Sequence, residues 1–375
     1  MAAVAMAAGV LAPVAASGQA APRWQDLVVT MGGSGETYRG NLSSVSLPIV
    51  DSSDHASAAV GEVGLRGSLV LLADGDGRPR AAVRFDGGLR QFAATGFELR
   101  DYAPREWVGR ATATWDERLG ELGRATLRVG GRGRVVSDRP PMPLFLQPGF
   151  SAVSTGLLLR AREIEGVRID AEVEAEWADY RPGRRLPQVD LLDRRSRGLE
   201  LGAEWGVGWS VRFYGGLRWS DYPDQASFDP DDPYRRDQAL HAGALWTWQG
   251  PIIAQLGLEG TLNRSNSRRP EYDAVALRTL VSAPLPGRFG LNLLAVLTGK
   301  SYLSETEFAH LVPGEEADNA SVVYLDVNRP LSHDLDAALR LGWTRAETDI
   351  GDAYFQRFGV GFLLNYRPGA LPGGP

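Results

Sequence analysis

The chain has no cysteine in 375 residues. A disulfide framework, a zinc-thiolate site and a cysteine nucleophile are therefore all excluded. It has no surplus of positive charge. The net charge is −6, with both signs spread along the chain, and nothing in it forms a basic nucleic-acid footprint. Histidine is scarce, at four residues: His55, His241, His310 and His333. Beyond residue 20 no apolar run approaches the roughly 18 residues of a membrane-crossing helix. The chain also lacks a nucleophile elbow, a paired metal-ligand motif and a phosphate loop in a supporting context, and Gly32-Gly33-Ser34-Gly35 is too short and too early for a phosphate cradle. No enzyme is expected, and no cofactor or metal.

What is present begins with an Ala-rich apolar run, residues 1–20, closing on Gly18-Gln19-Ala20. Small residues at that spacing read as a secretory signal peptide cleaved after Ala20, although no basic residue precedes the run. A short membrane anchor is the competing reading; Pro13 and weakly apolar alanines make it a poor span.

From there on the dominant signal is alternation. In Arg124–Val135, Ala125, Leu127, Val129, Gly131, Gly133 and Val135 take one phase, and Arg124, Thr126, Arg128, Gly130, Arg132 and Arg134 the other. Successive strand side chains point to opposite faces, so this is a sheet with one apolar and one polar side. The pattern recurs over 105–116, 167–178, 209–220, 334–344 and the segment ending at Tyr366. Mean hydropathy is slightly polar, as expected where only alternate residues meet lipid. The segments run to about 10–12 residues, suited to a tilted membrane crossing. Tryptophans take the apolar phase and crowd the segment ends: Trp107, Trp115, Trp177, Trp205, Trp209, Trp219, Trp246, Trp248 and Trp343, with Trp24 the exception. With Tyr366 they predict aromatic girdles at two membrane interfaces.

Short turns are expected near 74–79, 116–123, 163–166, 206–208, 249–251, 284–287 and 328–334. Longer polar or Pro-rich links lie near 42–56, 92–102, 138–149, 181–197, 222–237, 264–271, 303–318 and 346–353. Seven short turns join fourteen strands, and one more strand at each end makes sixteen, with both termini on the short-turn side. Fourteen strands is the alternative, because the first strand is free to lie anywhere in 24–41. A β-propeller shares the turn-to-turn repeat of about 43 residues, but its blades hold four short strands where this chain holds two long ones.

These features, with the final Phe358-Gly-Val-Gly-Phe362-Leu-Leu-Asn-Tyr366, resemble bacterial outer-membrane β-barrels of the porin type. The resemblance is to an architecture and covers about residues 24–367. It implies a transmembrane, antiparallel, up-and-down all-β barrel over 21–367, with a short tail at 368–375. The implied location is the outer membrane of a diderm bacterium, the implied partners are its lipid and the barrel-assembly machinery, and Tyr366 resembles the terminal aromatic that such machinery reads, although nine residues follow it here.

On this reading the polar phase faces a lumen. Arginines gather on the third to sixth strands (Arg80, Arg84, Arg90, Arg110, Arg124, Arg128, Arg132, Arg134, Arg160, Arg162), acids follow (Asp170, Glu172, Glu174, Glu176, Glu200, Glu204), and Arg212 and Arg218 come next. Opposed charged walls suit a porin-like channel that orients small polar solutes; the plainer reading is a ladder of ion pairs that fills the lumen and holds register. The function expected is passage of such solutes, and the alternative is a structural or adhesive barrel that displays its loops. A third reading, uptake or export with a dedicated partner, is weaker. The apolar, Pro-rich 137–149 segment is expected to fold into the mouth as a constriction or to pack as a rigid surface loop. Asp224, Asp229, Asp231 and Asp232 would suit calcium, but a solvated acidic loop explains them better, as it does 305–318.

Overall fold

In the computed structural model, the residues described are 22–40, 56–95, 104–137, 149–181, 192–206, 208–228, 230–267, 271–303, 321–347 and 354–368. They form sixteen antiparallel strands: β1 Arg23–Gly40, β2 Ala56–Ala73, β3 Pro79–Thr95, β4 Arg105–Arg118, β5 Gly123–Ser137, β6 Phe150–Ala161, β7 Val167–Tyr180 and β8 Arg194–Trp205, then β9 Trp209–Tyr222, β10 Arg235–Gln249, β11 Ile253–Ser265, β12 Tyr272–Leu285, β13 Phe289–Tyr302, β14 Ser321–Pro330, β15 Leu335–Glu347 and β16 Tyr354–Tyr366. Each strand pairs with its sequence neighbours, and β1 pairs with β16, from Val29 opposite Tyr366 to Gly40 opposite Phe355, so the sheet closes on itself. Closure gives every strand a neighbour on both sides, which a lipid-embedded sheet requires because hydrocarbon offers a backbone N–H or C=O no partner. Among the described residues no helix is long and apolar enough to cross a membrane; crossing falls to the strands.

All seven short turns lie where the sequence places them, and the termini of the barrel share their side. The β6–β7 turn shows how tight they are. Ile164 and Val167 exchange backbone hydrogen bonds at 3.0 and 2.9 Å. Glu165 and Gly166 between them both take positive φ, the twist that suits a two-residue hairpin and that glycine adopts without strain. The signal-peptide and constricting-loop expectations, residues 1–20 and 138–148, fall outside the described residues, as do Asp229, 305–318 and most of the tail.

The polarity of the wall follows the alternation. Apolar-phase residues face outward and are exposed: Trp107, Leu127, Val129, Val153, Ile169, Trp177, Leu201 and Phe213 among them. Two girdles can be traced on single strands. Trp107 and Trp115 are eight residues apart on β4. At about 3.3 Å per residue and a tilt of about 40°, that spans roughly 20 Å of membrane normal, near the apolar band of about 25 Å. Trp209 and Trp219 bracket a similar height on β9.

Two expectations need revision. Most strands are longer than 10–12 residues, reaching 18 in β1 and β2 while β6, β8 and β14 keep to that range, because hydrogen bonding continues past the apolar band, where both faces are polar and the alternation fades. Trp24 also joins the outer face. The register of β1 against β2 shifts between Gln25 and Val28, with Asp26 at φ 56°. This bulge reverses the phase of the strand's first residues and sets Trp24 edge-on to Phe85, at 5.8 Å.

Inside, buried residues are confined to patches on the lumen wall. Val60, Phe92 and Tyr38 pack toward the long-link end of β1–β3, and Ala152, Ala178, Tyr180 and Leu192 toward that of β6–β8, with Phe150 against them.

Two outcomes follow. Val129→Arg, on the outer face of β5, is expected to destabilise the barrel in lipid by roughly 2–4 kcal/mol, read from urea unfolding in vesicles; an unchanged midpoint would reverse the inside-out assignment. In the β2–β3 turn, Asp74 accepts backbone hydrogen bonds from Arg78 at 2.8 Å and Asp76 at 3.1 Å. These, the Arg78 bond foremost, hold its carboxyl below the ordinary carboxylate range, with Arg118 adding to them. A depressed folded value stabilises above the unfolded pKa of about 3.9 and is lost as pH falls through the folded value. Carbon NMR titration of Asp74 should show a midpoint below that reference.

Candidate functional site

The site is the inner wall. All thirteen lumen candidates, Arg84 to Arg218, lie on the inward phase of their strands, the phase opposite the exposed tryptophans and aliphatics. Their pairing is organised around β7. Its four inward acids are each engaged, and the partners come from two strands away on both sides. Arg128 of β5 meets Glu172 at 2.7 Å, and Arg132 meets Glu176 at 3.1 Å. From the other side, Arg212 of β9 donates to Asp170 and to Glu200 of β8, both at 2.7 Å, and Arg218 meets Glu174. Arg194 of β8 adds a second contact to Glu176 at 3.3 Å.

Such crossings need low intervening strands. On β6 the inward residues between Arg128 or Arg132 and the β7 acids are Ala152, Ser154 and Gly156. On β8, Ser196, Gly198 and Gly202 play the same part. A Cβ on Gly202 would stand 2.7 Å from both Arg212 Nη2 and Asp170 Oδ1, and one on Gly198 would stand 3.0 Å from Glu174 Cγ. The lumen glycines are thus the space through which the arginines reach. The consequence is electrostatic: the acids read as one charged wall are largely neutralised by arginines on either side, and Glu204 meets Arg168 at 3.5 Å.

The remaining arginines divide. Arg90 and Arg134 join a second network near the long-link end, where Arg90 meets Glu36, Glu62 at 3.8 Å and Glu106 at 3.6 Å, and Arg134 meets Glu106 at 2.7 Å. Glu36 and Glu106 are buried; removing Arg90 would take from Glu36 its ion-pair partner, whereas Glu106 would keep Arg134. Arg84, Arg110, Arg124 and Arg160 make no ion pair among the described residues. Two of the basic cluster lie elsewhere. Arg80 sits over the Trp115 ring at 5.1 Å and pairs with Glu117, drawn to the outward side at the rim. Arg162 lies beyond the end of β6, in the turn, paired with Glu121.

On the inner wall of β7–β13 lies a cavity of about 480 Å³, lined by groups of both signs: Glu172, Glu174 and Glu200, then Arg218, His241, Glu259, Arg278 and Lys300. Glu259 accepts from Tyr214 at 2.8 Å and Arg278 at 3.1 Å, and His241 stands 3.4 Å from Glu200. Lys300 Nζ lies 4.0 Å from the centre of the Tyr272 ring and 4.7 Å from that of Tyr302. Sequence reasoning passed over Glu36, Glu62, Glu259, Arg278 and Lys300, and named His241 only as one of four histidines. The inward phase of their strands was the available signal. Leu280 and Leu294 also face the lumen, on β12 and β13, both exposed. In the acidic 222–237 segment, Asp232 is held by Arg236 at 3.3 Å and by Asn266 at 2.6 Å; no group of three or more metal-ligating side chains occurs among the described residues.

A closed sixteen-strand barrel, apolar outside and charged within, has the architecture of an outer-membrane β-barrel of the porin type. No protein-family model matches the chain, and no curated protein matches it in sequence. Among solved structures it is similar to OmpT of Vibrio cholerae in its trimer form, at 10% identity over 92% of this chain and 100% of that one, with a TM-score of 0.38. It is also similar to Pseudomonas aeruginosa OpdK solved with vanillate, at 11% identity over 92% and 100%, TM-score 0.38, and to a Rhodopseudomonas blastica porin triple mutant, at 10% over 90% and 99%, TM-score 0.31. Likeness of this order leaves function to be read from the chain's own residues.

Arg212→Met should destabilise the barrel by roughly 1–3 kcal/mol, because it leaves Asp170 and Glu200 without their shared cation. Adding Asp170→Asn should recover part of that loss in a double-mutant cycle. Strict additivity would show that the two side chains act independently.

Proposed function

We propose that this protein is an outer-membrane channel through which small polar solutes pass by diffusion. The observation that carries the reading is the cavity of about 480 Å³ on the inner wall, lined by charged and hydroxyl groups. A wall of this kind replaces part of a solute's hydration, and multiple weak contacts let it leave again. The ion-pair ladder across β5–β9 then has two effects: it holds register where a one-residue slip would turn arginines into lipid, and it keeps local fields short in range. Export by the N-terminal apolar run, insertion by the barrel-assembly machinery through the β16 end near Tyr366, and residence in outer-membrane lipid complete the proposal.

A display barrel is the second reading, favoured by the buried network around Arg90 that occupies one side of the lumen near the long-link end. Planar-bilayer recording separates the two. The channel reading expects open conductance, with selectivity moved toward cations by Arg128→Gln and toward anions by Glu174→Gln, since each change frees the opposite partner. A correctly folded barrel that conducts nothing supports display.

A further inference from the structure

One sector of the lumen departs from the pairing seen elsewhere. On β2–β4, Arg66, Arg84 and Arg110 all take the inward phase and all are exposed. None makes an ion pair among the described residues, although arginines on β5 and β9 reach across a whole strand to find one. Absence of acid does not explain this. Asp86 stands directly opposite Arg66 on one side and Arg110 on the other, and it too is exposed and closes to ion-pair distance with neither. Arg84, two residues along β3, lies opposite Ser68 and Thr112. The inward neighbours on the long-link side of Arg66 and Asp86 are Gly64 and Gly88, themselves opposed, so these two lack a bulky neighbour in that direction, while Val108 stands beside Arg110.

We propose that this sector is an anion station for small doubly charged oxyanions, deepening the channel reading on which it rests. Three guanidinium groups and one carboxylate leave two positive charges uncompensated. Neighbouring strands are about 4.8 Å apart, so Arg66 and Arg110 flank a zone roughly 10 Å wide with Arg84 and two hydroxyls beside it. Guanidinium forks match the oxygen pairs of phosphate-like groups, and Ser68 and Thr112 donate to oxygens the forks leave free. Asp86 tempers the attraction, because its charge repels a bound anion and lets it leave again; the two positive charges that remain favour a doubly charged ligand over a singly charged one.

The test uses the folded full-length barrel with inorganic phosphate at mildly alkaline pH, and nitrate at matched ionic strength as the monovalent control. In bilayers, phosphate is expected to block chloride current where nitrate does not. Isothermal titration of the detergent-solubilised barrel should show the same preference. Arg84→Gln and Arg110→Gln should each weaken phosphate by about tenfold, Asp86→Asn should strengthen it, and Arg84→Lys should restore only part, because the charge returns without the fork. Heat-modifiable migration on gels confirms that each variant is folded. Chloride conductance with no phosphate block, or block equal in the Gln variants, overturns the station while leaving the channel standing. Phosphate binding by titration without any conductance overturns the channel and keeps the station.

Discussion

Hydrocarbon offers a peptide group nothing to bond to, and it rejects a guanidinium. Those two facts govern this protein. The first requires that every strand have two neighbours, which closes sixteen strands into a ring through the β1–β16 pairing. The second requires that the arginines share one phase of the pleat and the aliphatics the other, which turns the usual arrangement of a water-soluble protein inside out. Leucine, valine and tryptophan are exposed here because their solvent is lipid; Glu36, Glu106 and Asp170 are buried because Arg90, Arg134 and Arg212 stand in for the water they lose.

Within that constraint the lumen is built by size as much as by charge. An arginine reaches about two strands where the strand between offers a glycine beside the crossing. Gly156 on β6 and Gly198 and Gly202 on β8 meet that condition on either side of β7. The acids of β7 thus gather cations from β5 and β9, and five consecutive strands are tied together by side chains as well as by backbone. Exposed pairs of this kind are individually weak; Arg218 and Glu174 are both about half exposed. The better-shielded Arg212–Asp170 contact, where the carboxylate side chain is only 8% exposed, carries more of the structural load. On β2–β4, by contrast, Arg66, Arg84 and Arg110 stand among glycines and hydroxyls and make no ion pair among the described residues, whereas Arg90 on the same strands is held by acids.

Much of the architecture was legible before any coordinates. Alternation in Arg124–Val135 named the face of every residue on β5, and the turn residues placed all seven hairpins. Legibility ended where the period broke. Trp24 lies past a bulge at Asp26, and a bulge changes phase without changing composition, so it read as an exception to the girdle it belongs to. Arg80 and Arg162 were misplaced for a related reason: at a strand's end the pleat no longer dictates a side, and a long side chain follows the nearest aromatic ring or carboxylate.

The sequence by itself determined which side of the wall a strand residue faces wherever the alternation is unbroken, because that depends only on the parity of its position and on the difference between lipid and water. It also favoured sixteen strands over fourteen through the count of tight turns, and the placement of β1 by the structure settled the number. Only the tertiary structure decided which charges meet. Arg128 and Glu172 are 44 residues apart in the chain, and their encounter depends on the register of two intervening strand pairs and on the absence of bulk at Gly156. Registers accumulate around a closed sheet, so a charge's partner belongs to the whole ring, whereas its side of the wall belongs to the residue alone.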